Sequence, residues 1–240
     1  MAFRVAVLLS GEGTNLQALL DGVHGRDGVE IVAVASNRAE ARGLERARAA
    51  GIETAVFAAA PRGGSAARDS STSLGDATAA LPVAPKASGA ALDDLPPRDE
   101  RDRALGDWLE RHDIDLVVLA GFMEILSGAF IRRFAARIVN VHPSLLPAFP
   151  GVRAIEQALA YGAKLVGVTV HLVDEGVDTG PIVLQEAIEA PYSRDIAETE
   201  QRIHAVEHRL LPQAVRLFAQ GKVHMDTDDP RLVRIENGER

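Results

Sequence analysis

Cysteine is absent from this chain of 240 residues. Without a thiol the protein can form neither a disulfide framework nor a thiolate zinc site, and a cysteine nucleophile is excluded. Positive charge is also scarce, since 26 lysines and arginines stand against 34 aspartates and glutamates. The formal net charge of -8 gives no general footprint for nucleic acid or an anionic membrane. Any anionic ligand must therefore be held by a local arrangement of groups.

Long hydrophobic runs are missing as well. The opening segment MAFRVAVLLSG is too short to span a bilayer and has no small-residue cleavage site, so it indicates a first buried strand in a cytoplasmic protein. The hydrophobic fraction is nevertheless 47%, which allows a substantial core. We expect one domain over residues 1–225 and a polar C-terminal tail over 226–240. The expected partners are small-molecule substrates, with no nucleic acid and no membrane, and a monomer or homodimer.

Short β-rich runs alternate with segments of helical periodicity along the chain. Strands are predicted at 5–9, 31–35, 54–57, 116–119, 138–141, 164–172 and 182–188, and helices at 39–50, 98–112, 128–134, 154–161, 196–220 and from Leu16 onward. This alternation predicts an α/β fold whose mainly parallel sheet is covered by helices on both faces. Residues from about 59 to 97 are small, polar and rich in Pro and Gly, which indicates an exposed insertion.

The segment 11–15, Gly-Glu-Gly-Thr-Asn, stands between the first predicted strand and the first predicted helix. Backbone N–H groups and the positive end of the helix dipole bind anions at such a position, so a phosphate is its natural occupant. Leu16 stands where a dinucleotide-binding motif has its third glycine, and no G-K-[ST] ending follows. The alternative is a Gly-rich turn that only lets the helix pack closely on the sheet.

Polar residues interrupt the apolar pattern at two further places. Asn140 and His142 are two residues apart at the end of a predicted strand, and period-two alternation aims both side chains to one side. An amide beside an imidazole suits stabilisation of an oxyanion together with proton transfer. The turn-rich acidic segment 171–181 joins two predicted strands and can bring a carboxylate to His142. The alternatives are a core Asn with a capped His, and ordinary solvated turn chemistry in the loop.

These segments resemble the folate-dependent formyltransferase family, and within it the phosphoribosylglycinamide formyltransferases. The resemblance covers about residues 3–57 and 98–225, and it rests on the blocks SGEGTNLQALLD, SNRAEARGLERARAAGI, LVVLAGFMEILS, NVHPSLLPAFPG and VTVHLVDEGVDTGPIVLQ. It implies a single Rossmann-like domain that transfers a formyl group from 10-formyltetrahydrofolate to the amine of 5-phosphoribosylglycinamide in purine biosynthesis. The folate is expected as a co-substrate, and no metal is expected.

The resemblance also implies roles for individual residues. Asn140 would bind the formyl oxygen, His142 would donate a proton, and Asp178 would raise the pKa of His142. The residues implied to bind phosphoribosylglycinamide are Gly13, Thr14, Asn15, His204 and Glu207. The residues implied to bind folate are Arg98, Met123, Glu124, Ile125, Leu126, Asn140, Asp174, Glu175, Gly176, Val177 and Asp178. Glu124 stands where this family often has Arg.

Other functions compete with this interpretation. Formyltetrahydrofolate hydrolase shares the resemblance but usually carries an amino-terminal regulatory domain, and methionyl-tRNA formyltransferase is expected to carry a basic domain for tRNA. A non-enzymatic nucleotide-binding module would explain segment 11–15 but not the other polar residues. Residues 204–208, His-Ala-Val-Glu-His, match a zinc-peptidase signature, but that site needs a third ligand in a suitable downstream element.

Overall fold

A seven-stranded sheet lies at the centre of the computed structural model, which describes residues 2–59, 96–191, 193 and 195–236. The strand order is β3-β2-β1-β4-β5-β6-β7. The strands are β1 (Phe3–Leu9), β2 (Val29–Ser36), β3 (Glu53–Val56), β4 (Leu116–Leu119), β5 (Ile138–His142), β6 (Leu165–Leu172) and β7 (Ile182–Glu189). The first five strands pair in parallel, whereas β6 and β7 are antiparallel to their neighbours.

Helices cover both faces of the sheet, as the sequence predicts. One face packs against α1 (Thr14–Gly22), α2 (Arg42–Ala49), α5 (Ala154–Tyr161) and α6 (Ile196–Ala219). The other face packs against α3 (Arg98–Arg111) and α4 (Gly128–Arg133). Alternation along β1 divides the two cores, because Val5, Val7 and Leu9 belong to the first and Ala6 and Leu8 to the second. The mainly parallel α/β fold is therefore confirmed.

The strand order reverses between β1 and β4. The chain moves outward to β2 and β3 on one side, then returns to place β4 and β5 on the other side of β1. Ligands of open α/β sheets bind in the crevice outside the carboxyl ends of the strands at such a switch point. The segments that leave β1 and β4 at this edge are residues 10–13 and 120–127.

A small antiparallel hairpin of β8 (Val223–Met225) and β9 (Val233–Ile235) follows α6. The sequence pattern did not predict it, because both strands are only three residues long and bury no residue completely. Its second strand lies inside the segment interpreted as a polar tail. Residues 60–95, most of the predicted insertion, lie outside the described part of the chain. No described helix is long and apolar enough to cross a membrane.

Candidate functional site

Strand β5 presents two polar side chains on the face covered by α3 and α4. Ile138 packs in the core under these helices, and alternation places Asn140 and His142 on the same face. In the antiparallel ladder Asn140 lies opposite His171 of β6, and His142 lies opposite Thr169. Directly opposed residues share a face, so two strands contribute four polar side chains to one patch.

The carboxylate of Asp178 lies at the centre of this patch. Its Oδ2 is 3.4 Å from Nδ1 of His142 and accepts the main-chain N–H of Gly151 at 2.7 Å. Its Oδ1 is 3.4 Å from Nδ2 of Asn140 and 3.5 Å from Nε2 of His171. The structure thus brings together the three residues that the sequence suggested as a catalytic set.

The backbone of the loop between β6 and β7 is shaped to present Asp178. Asp178 has a φ of 54°, which is in the left-handed region, and a residue with a side chain adopts this region at a penalty of about 1 kcal/mol or more. The loop is held by Asp174, whose Oδ1 accepts the N–H of Gly176 at 3.1 Å and the hydroxyl of Thr179 at 2.7 Å. A Cβ on Gly180 would overlap a main-chain carbonyl oxygen, so the return of the loop requires glycine there.

The surroundings of Asp178 favour its ionised form. Burial alone would raise the pKa of this carboxyl group, but the neighbouring His171, the hydrogen bond from Gly151 and the charge of His142 together hold the pKa below its ordinary value. A carboxylate at this place is therefore available as an acceptor for every donor around it.

Both ring nitrogens of His142 face hydrogen-bond acceptors. Nε2 lies 2.9 Å from the carbonyl oxygen of Phe149 and can only donate to it, while Nδ1 faces the Asp178 carboxylate. A neutral imidazole has one N–H and would leave one of these acceptors facing a lone pair. The two contacts together fix the orientation of the His142 ring.

His171 belongs to the site, although the sequence patterns did not single it out. Its Nδ1 lies 2.9 Å from the carbonyl oxygen of Leu172 and donates to it, so Nε2 can accept from Nδ2 of Asn140 at 3.2 Å. This contact fixes which end of the Asn140 amide points inward. The sequence signal was a polar residue in a mostly apolar strand, and every residue of this strand after Leu165 is buried.

The segment after β1 forms an anion-binding geometry at the start of α1. Gly13 precedes the helix with a φ of 71°, and no side chain caps the helix N-terminus. The N–H groups of the first turn and the positive end of the helix dipole therefore face outward. A Cβ on Gly13 would lie 2.5 Å from the Cα of Gly43, so close packing of α1 against α2 is a second reason for this glycine.

Asn15 and Glu207 meet beside this anion-binding turn. Nδ2 of Asn15 donates to Oε2 of Glu207 at 3.0 Å, which joins α1 to α6. Burial raises the pKa of Glu207, and the hydrogen bond from Asn15 only partly offsets that effect. His204 is exposed one turn earlier, with its ring stacked on His208 at 6.2 Å. Within the described residues no group of three or more metal-binding side chains is found.

A cavity of about 470 Å³ lies beside α1, next to the anion-binding turn and away from the Asp178 patch. Its lining residues are Thr14, Gln17, Ala18, Asp21, Gly22, Arg46 and His208. Arg46 is the cationic side chain of this lining, and its Nη1 already donates to Gln17 Oε1 at 3.2 Å. The cavity therefore adjoins the expected phosphate position, but the candidate chemistry lies elsewhere.

The expected folate cleft has two walls. One wall is the segment 122–127 after β4, in which Met123 and Ile125 are exposed while Leu126 is buried. No described residue bonds to the main-chain N–H or C=O of Leu126. The other wall is the loop 174–178, tied to α4 by an exposed ion pair of Glu175 with Arg132 at 2.6 Å. Arg98 is the half-buried first residue of α3.

Comparison with known proteins points in one direction. The model of the formyl transferase family matches residues 3–215. The trifunctional purine biosynthetic protein adenosine-3 of Drosophila pseudoobscura pseudoobscura is 41% identical over 221 residues, which are 91% of this chain and 14% of that protein. The chain thus spans about a seventh of the length of that relative.

Two relatives of similar length match over nearly their whole chains. Phosphoribosylglycinamide formyltransferase of Haemophilus influenzae is 36% identical over 223 residues, covering 92% of this chain and 90% of that protein. The crystal structure of glycinamide ribonucleotide transformylase 1 from Symbiobacterium toebii has a TM-score of 0.79 at 40% identity, covering 98% of this chain and 95% of that one.

Proposed function

The chain belongs to the formyl transferase family, and from that premise we propose that it transfers the formyl group of 10-formyltetrahydrofolate to the amine of 5-phosphoribosylglycinamide. The reaction is a step of purine biosynthesis. The two relatives of similar length support this substrate, because they are named for the same transfer and match nearly the whole chain.

The observation that carries the proposal is the close spacing of the two acceptors around Nδ2 of Asn140. Nδ2 of Asn140, Nε2 of His171 and Oδ1 of Asp178 form a nearly equilateral triangle with sides of 3.2, 3.4 and 3.5 Å. The two acceptors are thus separated by about 60° as seen from Nδ2, whereas the N–H bonds of an amide diverge by roughly 120°. A single N–H directed between the two acceptors can serve both, which leaves the second N–H for a ligand oxygen.

The proposed chemistry uses this donor together with the ring of His142. The substrate amine attacks the formyl carbon, a C–N bond forms, and the formyl oxygen becomes an oxyanion. Asn140 donates its second N–H to the oxyanion, and the protonated ring of His142 stabilises it, with Asp178 keeping that ring charged. The bond between the formyl carbon and N10 of the folate then breaks, N10 gains a proton, and the attacking nitrogen loses one.

The two substrates would occupy the two segments at the switch point. The phosphate would lie at Gly13, Thr14 and Asn15, where the first turn of α1 is uncapped, with Glu207 and His204 nearer the ribose and the amine. The pterin would lie between the segment 122–127 and the loop 174–178, bound by unpaired main-chain groups such as those of Leu126. A cytoplasmic location and a monomeric or dimeric state are part of the same proposal.

Omitting the ribonucleotide is the decisive experiment. Folate absorbance is followed with 10-formyltetrahydrofolate alone and then with phosphoribosylglycinamide added. We expect turnover only in the second case, because the anion-binding turn has no purpose in simple hydrolysis. Equal folate turnover in both cases would assign the chain to the hydrolases and overturn the proposed acceptor.

A further inference from the structure

A buried ion pair lies beneath the expected folate cleft. Arg101 and Asp102, consecutive residues of α3, are 1% and 2% exposed, and Nε of Arg101 donates to Oδ1 of Asp102 at 2.6 Å. Taking two opposite charges out of water costs several kcal/mol per ion, so a buried pair is weak evidence of stabilisation by itself. Its place in the fold therefore needs another explanation.

Both side chains are directed at the segment 122–127. The Arg101 guanidinium lies 5.8 Å from the centre of the Phe122 ring, and its Nη2 donates to the carbonyl oxygen of Ile125 at 3.4 Å. Oδ2 of Asp102 accepts the main-chain N–H of Ser127 at 2.5 Å. The pair thus contacts one wall of the cleft near both of its ends.

Glu124 adds a third contact to the pair. Its Oε2 lies 3.8 Å from Nη1 of Arg101, and its Oε1 accepts from Nδ2 of Asn37 at 3.3 Å. Nη1 is buried and has no hydrogen-bond partner among the described residues, so Glu124 supplies its nearest opposite charge. The Glu124 side chain therefore takes part in supporting the segment.

The segment itself has little support of its own. Ala120 and Gly121 still form main-chain hydrogen bonds with Leu8 and Ser10, but residues 122–127 lie in neither a strand nor a helix. On the β1 side the support is the hydroxyl of Ser10, which accepts the N–H of Met123 at 2.8 Å. Between Met123 and the start of α4, the described polar contacts come from Arg101, Asp102 and Asn37.

We propose that Arg101 and Asp102 are positioning residues that hold the main chain of residues 123–126 in the shape that binds the pterin ring of the folate. The inference rests on the proposed function for the identity of the ligand. If the segment keeps the binding shape for only about a tenth of the time once the pair is broken, the apparent affinity for folate falls about tenfold. The anion-binding turn, built on β1 and α1, is untouched by this change.

Kinetics with both substrates tests the inference. In Arg101→Met and Asp102→Asn we expect KM for 10-formyltetrahydrofolate to rise about tenfold or more, while KM for the ribonucleotide stays within about twofold. Arg101→Lys, which keeps the charge, should recover part of the loss. Arg133→Met is the matched control. Arg133 lies in α4, pairs with Asp107 and Glu110 of α3, and does not contact the segment 122–127. Equal effects on both KM values, or no effect, would overturn the inference.

Amide hydrogen exchange gives a readout independent of activity. In Asp102→Asn the Ser127 N–H should exchange at least about tenfold faster, since it loses its charged acceptor, while amides of β4 keep their rates. Unchanged Ser127 exchange would contradict the positioning role even if the enzyme were active. If the wild type transferred no formyl group, the proposed function would fail, and faster Ser127 exchange would still support the positioning of the segment.

Discussion

The substitution Asp178→Asn keeps the shape of the central side chain and removes its charge. The asparagine oxygen can still accept the Gly151 N–H, now 2.7 Å from Oδ2. The side-chain nitrogen of the new asparagine would then take the place of Oδ1, which lies 3.4 Å from Nδ2 of Asn140. Two N–H donors would face each other there. The variant therefore removes the attraction for a protonated His142 and disturbs Asn140, while the loop remains braced at Gly151.

The size of the effect follows from the environment of the carboxylate. The side chain of Asp178 is 13% exposed, so water screens its charge only weakly. A hydrogen bond to a charged group is worth about 1.5 to 3 kcal/mol, which corresponds to roughly 10- to 150-fold in rate. The contact of Asp178 with His142 is long, at 3.4 Å, so its own effect on the rate should lie near the lower end of this range. The disturbance of Asn140 adds to the loss of rate. We expect kcat to fall about 10²-fold, with smaller changes in KM.

The assay is kcat as a function of pH. The pKa of Asp178 is held below its ordinary value, so the carboxylate stays ionised from about pH 6 upward and does not itself shape the profile. Loss of its charge should move the alkaline limb to lower pH, because the doubly protonated ring of His142 is no longer favoured. NMR of the His142 ring protons should show the same direction of change.

A matched control separates this effect from a general loss of negative charge. Asp226 resembles Asp178 in that its carboxylate accepts main-chain N–H groups, here two of them at 2.9 and 3.1 Å, but it lies in the hairpin after α6. Asp226→Asn should leave the kcat profile unchanged. If Asp178→Asn gave a normal kcat and an unmoved alkaline limb, Asp178 would only brace the loop and its electrostatic role would be refuted.

Asn140→Ala should lower kcat by roughly 10²- to 10⁴-fold with little change in either KM if, as proposed, its second N–H binds the oxyanion; normal kinetics would remove Asn140 from the mechanism. The pKa of Glu207 is raised in the folded protein, so the wild type loses stability as the pH rises and this carboxyl group ionises. Glu207→Gln removes that loss, so the unfolding temperature of the variant relative to wild type should be higher at pH 8 than at pH 5. The same difference at both pH values would contradict this. In urea unfolding, Gly13→Ala should lower the free energy of unfolding by about 1 kcal/mol or more beyond the loss caused by Gly25→Ala. Both glycines have a positive φ, but only at Gly13 would the added Cβ lie 2.5 Å from a backbone atom. Equal losses in the two variants would refute the packing argument.

The order of strands and helices could be predicted because hydrophobic periodicity is a local property. Strand β4 is apolar throughout, and its predicted and observed bounds coincide. Hairpin β8–β9 lacks such a signal, since its short strands are mostly exposed. The register of β5 on β6 was also beyond the pattern, and only that register places His171 opposite Asn140.

Buried charge is the feature that the pattern does not show. Helix α3 buries the apolar residues Leu105, Trp108 and Leu109, and it buries Arg101 and Asp102 as well. Arg101 and Asp102 are buried because their partners lie about 25 positions further along the chain, in a segment without periodicity. Sequence alone ranks charged helix positions as exposed, since a charge is buried only where a specific partner meets it.

The contacts around His142 form a closed cycle that limits how it can release a proton. Its Nε2 donates to the carbonyl of Phe149, the N–H of Gly151 donates to Asp178, and Asp178 faces Nδ1 of the same ring. A proton that leaves Nε2 for a ligand must first leave the Phe149 carbonyl. Phe149 has a φ of 54°, so the segment that must yield already carries backbone strain. The same cycle that holds the ring in place therefore also contains the contact that has to open if His142 is the proton donor proposed above.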